Sequence, residues 1–186
     1  MLNTIPQALE TERLRVRPHR LDDLAAFTVF ITDETATEFL ALPEEKKTAD
    51  AARVRLEAVV ASYTSSTPTF FVAIADRQTD EYVGSCGIHP LEGDAAAVYY
   101  NVLPAAQGRG YATEATRALV DYAFDRLGAA RLVAFVLPAN GASVRVAEKL
   151  GFSPAGTHEQ HGQHGIRYEV SKTAWAAATQ TRGEAP

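Results

Sequence analysis

Tyr100-Asn101-Val102-Leu103-Pro104 is followed by Gln107-Gly108-Arg109-Gly110-Tyr111-Ala112 and then by apolar residues at Ala115, Leu119, Tyr122, Ala123 and Leu127. These pieces read in turn as an apolar strand, a glycine turn and an amphipathic helix closed by Gly128. The first turn of a helix carries main-chain N–H groups without partners and the positive end of the macrodipole, so it favours an anion. Glycines at 108 and 110 remove side chains that would hold a ligand off the backbone and allow φ > 0 where the turn needs it. The plainer alternative is that they only turn a strand into a helix. Two known phosphate loops do not fit: the Gly-Lys-Ser/Thr of a Walker loop is missing, and Thr113 stands where the dinucleotide fingerprint needs its last small residue.

Composition narrows the class. A chain of 186 residues, 46% of them hydrophobic, can bury one sizeable core, and one domain is expected. No apolar run approaches the roughly 18 residues of a membrane span, and Met1 to Pro6 lacks a basic segment followed by an apolar one. A cytoplasmic protein without a membrane partner is expected. A formal net charge of −5 argues against nucleic-acid binding, which depends on basic stripes, and suits a cationic amine better. The lone Cys86 reads as a small buried hydrophobe in a strand rather than a nucleophile.

Along the chain, Arg13 to Pro18 alternates charged and apolar residues, the period of an edge or near-edge strand. Leu21 to Phe30 reads as a short helix with Asp22 and Asp23 in its first turn. A loop from Thr32 to Glu45 precedes a second helix, capped by Thr48, with Ala52, Leu56, Val59, Val60 and Tyr63 as its apolar stripe. Thr69 to Ala75, Tyr82 to His89 and Ala95 to Val102 form an antiparallel meander. Arg131 to Leu137 reads as a buried strand, Asn140 to Leu150 as a last helix, and Phe152 to Thr157 and Gly165 to Trp175 as two closing strands. Residues 1–9 are taken as an N-terminal extension, 10–177 as the domain, and 178–186 as a disordered tail.

The order β-α-α-β-β-β-α-β-α-β-β resembles the GNAT acetyltransferase fold over about residues 10 to 175. Gln107, Gly110 and Ala112 match the Gln/Arg-x-x-Gly-x-Gly/Ala coenzyme A loop of that family. Gly108-Arg109-Gly110-Tyr111-Ala112-Thr113-Glu114-Ala115 is similar to the signature of its RimJ/RimL-type branch, and so is Asn140-x-x-Ser143-x-x-x-x-Glu148-Lys149-Leu150-Gly151-Phe152. The resemblance implies an α/β (α+β) fold with a central, mostly antiparallel, splayed mixed sheet and about four flanking helices. It also implies acetyl coenzyme A as co-substrate, with its pyrophosphate on the amides of Gln107, Gly108, Arg109, Gly110, Tyr111 and Ala112. The pantetheine arm would pair with main-chain groups of Asn101, Val102 and Leu103, beside strands parted by a bulge near Tyr100 and Asn101. Asn140 and Ser143 would reach the thioester end.

Acyl transfer to an amine needs a neutral nucleophile, donors aimed at the developing oxyanion and a proton for the leaving thiolate. The resemblance implies an oxyanion donor from the N–H of Val102 or its neighbour and makes Ser143 the candidate for the thiolate; its alternative is an ordinary polar residue of a first helical turn. Two family positions depart from pattern, with Ala97 where many relatives carry Glu and Ala147 where other branches place Tyr. The resemblance to RimL-like enzymes, in which a Glu of the loop between the last two strands has this role, implies a base from that loop here, and Glu159 and His161 both stand as candidates. Histidines at 158, 161 and 164 lack a metal-ligand spacing, so no metal is expected. The reading is an acetyl-coenzyme-A-dependent N-acetyltransferase acting by direct attack on a protein N-terminus or a small amine, with a homodimer open as its assembly. Its rival is a non-catalytic acyl-coenzyme-A-binding sensor of the same shape.

Overall fold

The structure is a computed structural model that describes residues 5–40, 42–160 and 163–183. It divides into two compact units, Met1–Gly87 with Tyr100–Leu119, and Ile88–Tyr99 with Val120–Pro186. Eight strands are hydrogen-bonded in the order β1-β2-β3-β4-β5-β6-β8-β7. Two of these strands, β4 (Tyr82–Pro90) and β5 (Ala95–Val102), and the helix α4 (Tyr111–Asp125) run from one unit into the other.

In the first unit, β1 (Leu9–Glu10), β2 (Leu14–Pro18), β3 (Phe71–Asp76) and the start of β4 pair antiparallel. Leu14 and Val16 point inward with no exposed surface, as the alternation predicts. The helix expected at Leu21 is a 3₁₀ turn, Leu21–Asp23, running into α1 (Leu24–Thr32). The expected loop after it contains a short helix α2 (Glu34–Thr37), capped by Asp33, and a second 3₁₀ turn, Glu44–Lys46. Helix α3 (Ala49–Ser62) starts as predicted, with the Thr48 hydroxyl accepting the Ala51 N–H at 3.2 Å. Phe27, Phe30 and Ile31 of α1 and Ala52, Leu56 and Val59 of α3 close over Phe71 and Ala73 of β3 and Tyr82 of β4.

The second unit holds the rest of the sheet. Strand β6 (Arg131–Val136) runs parallel to β5, β8 (Gln163–Ser171) antiparallel to β6, and β7 (Ser153–Gln160) antiparallel to β8. Helix α5 (Gly141–Lys149) buries Ala147. The chain then departs from its sequence reading. Trp175 does not end a strand, and residues 178–183 of the expected disordered tail are helical, because Lys172–Gly183 form a sixth helix, α6; the remainder of that expected tail lies outside the described residues. The described residues therefore hold six α-helices, where about four were expected. The physical reason is that the Ala-rich run around Trp175 is a good helix former. A helix also sets the indole against Phe124 at 6.3 Å between ring centres, with its N–H on Asp121 Oδ1 at 2.7 Å.

Beneath the first unit's apolar core lies a polar one. Arg17 grips Asp23 through two hydrogen bonds of 2.9 and 2.8 Å and also donates to Asp80 at 3.0 Å. His19 donates or accepts at Nε2 to the Ser85 hydroxyl at 3.2 Å, and Ser85 pairs with the Tyr82 hydroxyl at 2.8 Å. His19 Nδ1 lies 3.6 Å from Asp23 Oδ2, beyond hydrogen-bond reach. Burial pushes the Asp23 carboxyl up, but Arg17, the nearby His19 ring and the Arg20 N–H outweigh it and hold the group well below the usual carboxylate range. For His19, burial is the largest influence; it pushes the pKa down against the pull of Asp23.

An unfolded histidine titrates near pH 6.5. Below that value the unfolded chain takes up a proton that the folded ring resists, so stability falls as pH falls through about 6.5. Thermal unfolding between about pH 7.5 and about pH 5.5 is expected to show a drop in Tm that His19→Leu largely removes.

Candidate active site

Strand β5 leaves its neighbour early. Its register with β6 covers Ala95↔Arg131 to Ala97↔Val133, while β5 continues to Val102. On its other side β5 forms a hairpin with β4, with Leu91 N–H on Ala95 O and Leu103 N–H on Val83 O, both at 2.9 Å. Equal lengths of the two strands lie between these bonds, so the expected bulge inserts no net residue. The irregularity at Asn101 takes another form. Its carbonyl oxygen lies 2.3 Å, and Val102 Cα 2.9 Å, from where a Gly84 Cβ would stand. The Ser85 N–H meets the Asn101 side-chain oxygen at 3.2 Å.

Gly84 is therefore a position that the close approach of β5 to β4 needs and that the sequence reading passed over. Its only signal there was a glycine inside a strand pattern. Replacement by Ala presses a methyl group into backbone, not into a flexible side chain. Gly84→Ala is expected to cost about 1–3 kcal/mol, read as a lower urea midpoint. Gly141→Ala, whose Cβ meets only the Arg145 guanidinium at 3.4 Å, serves as the near-neutral control.

Past Leu103 the chain makes a 3₁₀ turn, Pro104–Ala106, and extends through Gln107. Gly108 and Gly110 then take φ of +74° and +82°, the left-handed region that other residues rarely adopt. Helix α4 starts at Tyr111, and its first i→i−4 bond runs from Glu114 N–H to Gly110 O at 3.0 Å. The N–H groups of residues 110–113 are thus those a helix leaves without internal acceptors. Residues 107–110 are exposed, and a Cβ at Gly108 would meet nothing within 4 Å. That is a main-chain donor set with open space before it, suited to a diphosphate.

The other predicted residues lie in the second unit. Asn140 caps α5, its side-chain oxygen accepting the Ser143 N–H at 3.0 Å, so its amide N–H groups face away from that bond. Ser143 is half-buried in the first turn of α5. Glu159 is exposed on β7, with Oε2 3.9 Å from His164 Nδ1. His158 stacks on Phe135 at 3.9 Å between ring centres. His161 lies outside the described residues. Ala97 and Ala147 are buried, so neither position offers an acid or base. Among the described residues no group of three His, Cys, Asp or Glu side chains is placed to hold a metal ion, and no helix is long and apolar enough to cross a membrane.

Known proteins carry the same pattern. A family model described as an acetyltransferase (GNAT) domain matches residues 13–153. The uncharacterized N-acetyltransferase YoaA of Bacillus subtilis is 29% identical over 166 residues, 88% of this chain and 93% of that protein. The uncharacterized protein YkkB of the same organism is 40% identical over 79 residues, 41% of this chain and 46% of that protein, so the chain spans about half of its length. Mycobacterium smegmatis RimJ, solved in complex with CoA-disulfide, shares the fold with a TM-score of 0.72 at 18% identity, over 91% of this chain and 89% of that one. With most of its length matched by the family model and its strands laid out as that fold requires, the chain belongs to the GNAT family and is an acyl-coenzyme-A-dependent acetyltransferase.

Proposed function

We propose that this protein transfers acetyl from acetyl coenzyme A to a primary amine, the α-amine of a protein N-terminus or a small amine of similar pKa, by direct attack in a ternary complex. One observation carries the reading: a strand that outruns its pairing with β6 feeds, through two positive-φ glycines, into helix N–H groups without internal acceptors. Gly108, Arg109, Gly110, Tyr111 and Ala112 hold the diphosphate by main-chain donation, while Gln107, expected among them, has its N–H on Pro104 O at 3.2 Å and only borders the seat. Of the three residues expected along the pantetheine arm, Leu103 has its N–H on Val83 O at 2.9 Å and its carbonyl on the Ala106 N–H at 2.8 Å, so Asn101 and Val102 are left to pair with the arm as a strand would. The bound donor supplies an activated acyl thioester.

The chain's own groups do the rest. The Val102 N–H, or its neighbour, donates to the oxygen on which charge develops. Asn140 and Ser143 serve the thioester end, and the Ser143 hydroxyl donates a hydrogen bond to the departing sulfur, or passes it a proton that solvent replaces. Glu159 or His161 takes the proton that the amine sheds. A demanding base is not required for an α-amine, whose pKa of about 7.7–8.0 leaves roughly ten per cent neutral at pH 7. A lysine amine near 10.4 is neutral in fewer than about one molecule in a thousand. Two alanines at family acid–base positions fit an acceptor that needs little help.

Release of free thiol from acetyl coenzyme A, followed with peptides that offer either a free N-terminus or only a lysine side chain, tests the acceptor class. The N-terminal peptides are expected to have kcat/KM at least about tenfold higher, and a preference for lysine overturns the acceptor assignment. Ser143→Ala is expected to lower kcat by about a hundredfold with little change in KM for acetyl coenzyme A. Binding of acetyl coenzyme A without thiol release from any amine replaces the enzyme with a sensor.

A further inference from the structure

Arg13, in the loop between β1 and β2, spans from the carboxylate of Glu114 to the turn before α4. Its N–H and Nε donate to Glu114 at 2.8 and 2.7 Å, and Nη2 lies 2.6 Å from Glu114 Oε2. Its Nη1 donates to the carbonyl oxygen of Arg109 at 2.9 Å, and the guanidinium sits 5.0 Å over the Tyr111 ring. Thr11 adds its hydroxyl to Glu114 Oε1 at 2.6 Å. Burial pushes the Glu114 carboxyl up, but these donors outweigh it and hold the group below its ordinary range. Both carboxylate oxygens are engaged, so Glu114 is a fixed anchor rather than a base.

The acceptor Arg109 O belongs to the peptide unit between Arg109 and Gly110. In a trans peptide the C=O and the following N–H point in opposite directions. A donor fastened to the Arg109 carbonyl therefore turns the Gly110 N–H away from Arg13. Gly110, whose φ of +82° is one of the two dihedrals that turn this unit, offers little resistance of its own to its rotation. Resting on the reading of this turn as the diphosphate seat, we propose that Arg13, anchored by Glu114, is a positioning residue that sets the orientation of the Arg109–Gly110 peptide and so presents the Gly110 N–H to the diphosphate of coenzyme A. Surface ion pairs contribute little to stability in general, so five polar contacts converging on one carboxylate and one carbonyl call for a geometric role. Lysine cannot replace Arg13, because an ammonium lacks the planar fork that holds a carboxylate and a carbonyl together.

Steady-state kinetics with two acetyl donors test this, one of them acetyl-pantetheine, which lacks the diphosphate. Arg13→Met is expected to raise KM for acetyl coenzyme A about tenfold with kcat little changed, and to leave KM for acetyl-pantetheine where it was. Arg13→Lys is expected to behave like Arg13→Met, and Glu114→Gln, which keeps the shape of the anchor, to fall between them and the wild type. A parallel rise for both donors, or rescue by lysine, overturns the positioning role. Calorimetric titration with coenzyme A separates the two layers. Wild-type protein that fails to bind it overturns the diphosphate reading and this inference with it, whereas equal affinity of wild type and Arg13→Met overturns the inference alone.

Discussion

Main-chain N–H groups at the start of α4 have no carbonyl of their own helix to bind, and the turn that leads into them, residues 107–110, is exposed. The constraint acts on both sides of the turn. Upstream, β5 must arrive with its far end clear of the β6 register, which stops at Ala97. Downstream, the helix must begin without a side chain bending back over its own first turn. Gly108 and Gly110 meet that need with backbone angles that an L side chain resists.

Close approach of β5 to β4 is the second consequence. A strand carbonyl at Asn101 sits where a Gly84 side chain would be, and the Ser85 N–H meets the Asn101 side chain. Ser85 in turn touches His19 through its hydroxyl, and His19 sits beside the ion pair of Arg17 and Asp23. Ser85 of β4 therefore links the buried polar cluster to Asn101 of β5. A buried ion pair of this kind is weak evidence for net stability. Its evident structural effect is on geometry, since Arg17 ties β2 to the turn before α1 and to Asp80.

Several elements were legible before any coordinates. Thr48 capping α3, Gly128 closing α4 and the glycine turn itself follow from local rules that need only a few neighbouring residues. The Arg13–Pro18 alternation correctly announced a near-edge strand. It misled about Arg17, which the same pattern would place in solvent and which is 5% exposed. Asp23 likewise looked like an acid favoured by a helix N-terminus, whereas its carboxylate is spent on Arg17. The run Gly165 to Trp175 reads as one strand, whereas the partners that hold Trp175 in a helix, Phe124 and Asp121, are about fifty positions earlier.

By itself the sequence determined the order of the strands from β2 onward and of helices α1, α3, α4 and α5, the glycine turn with its helix, and, through two motifs, the family; each depends on residues close together in the chain. Only the tertiary structure decided that Gly84 lies under Asn101, that Arg13 and Glu114 meet behind Arg109, and that the last residues from Lys172 form a helix. Those outcomes depend on contacts between segments tens of residues apart, and periodicity carries no information about which distant side chain or carbonyl will arrive opposite a given position.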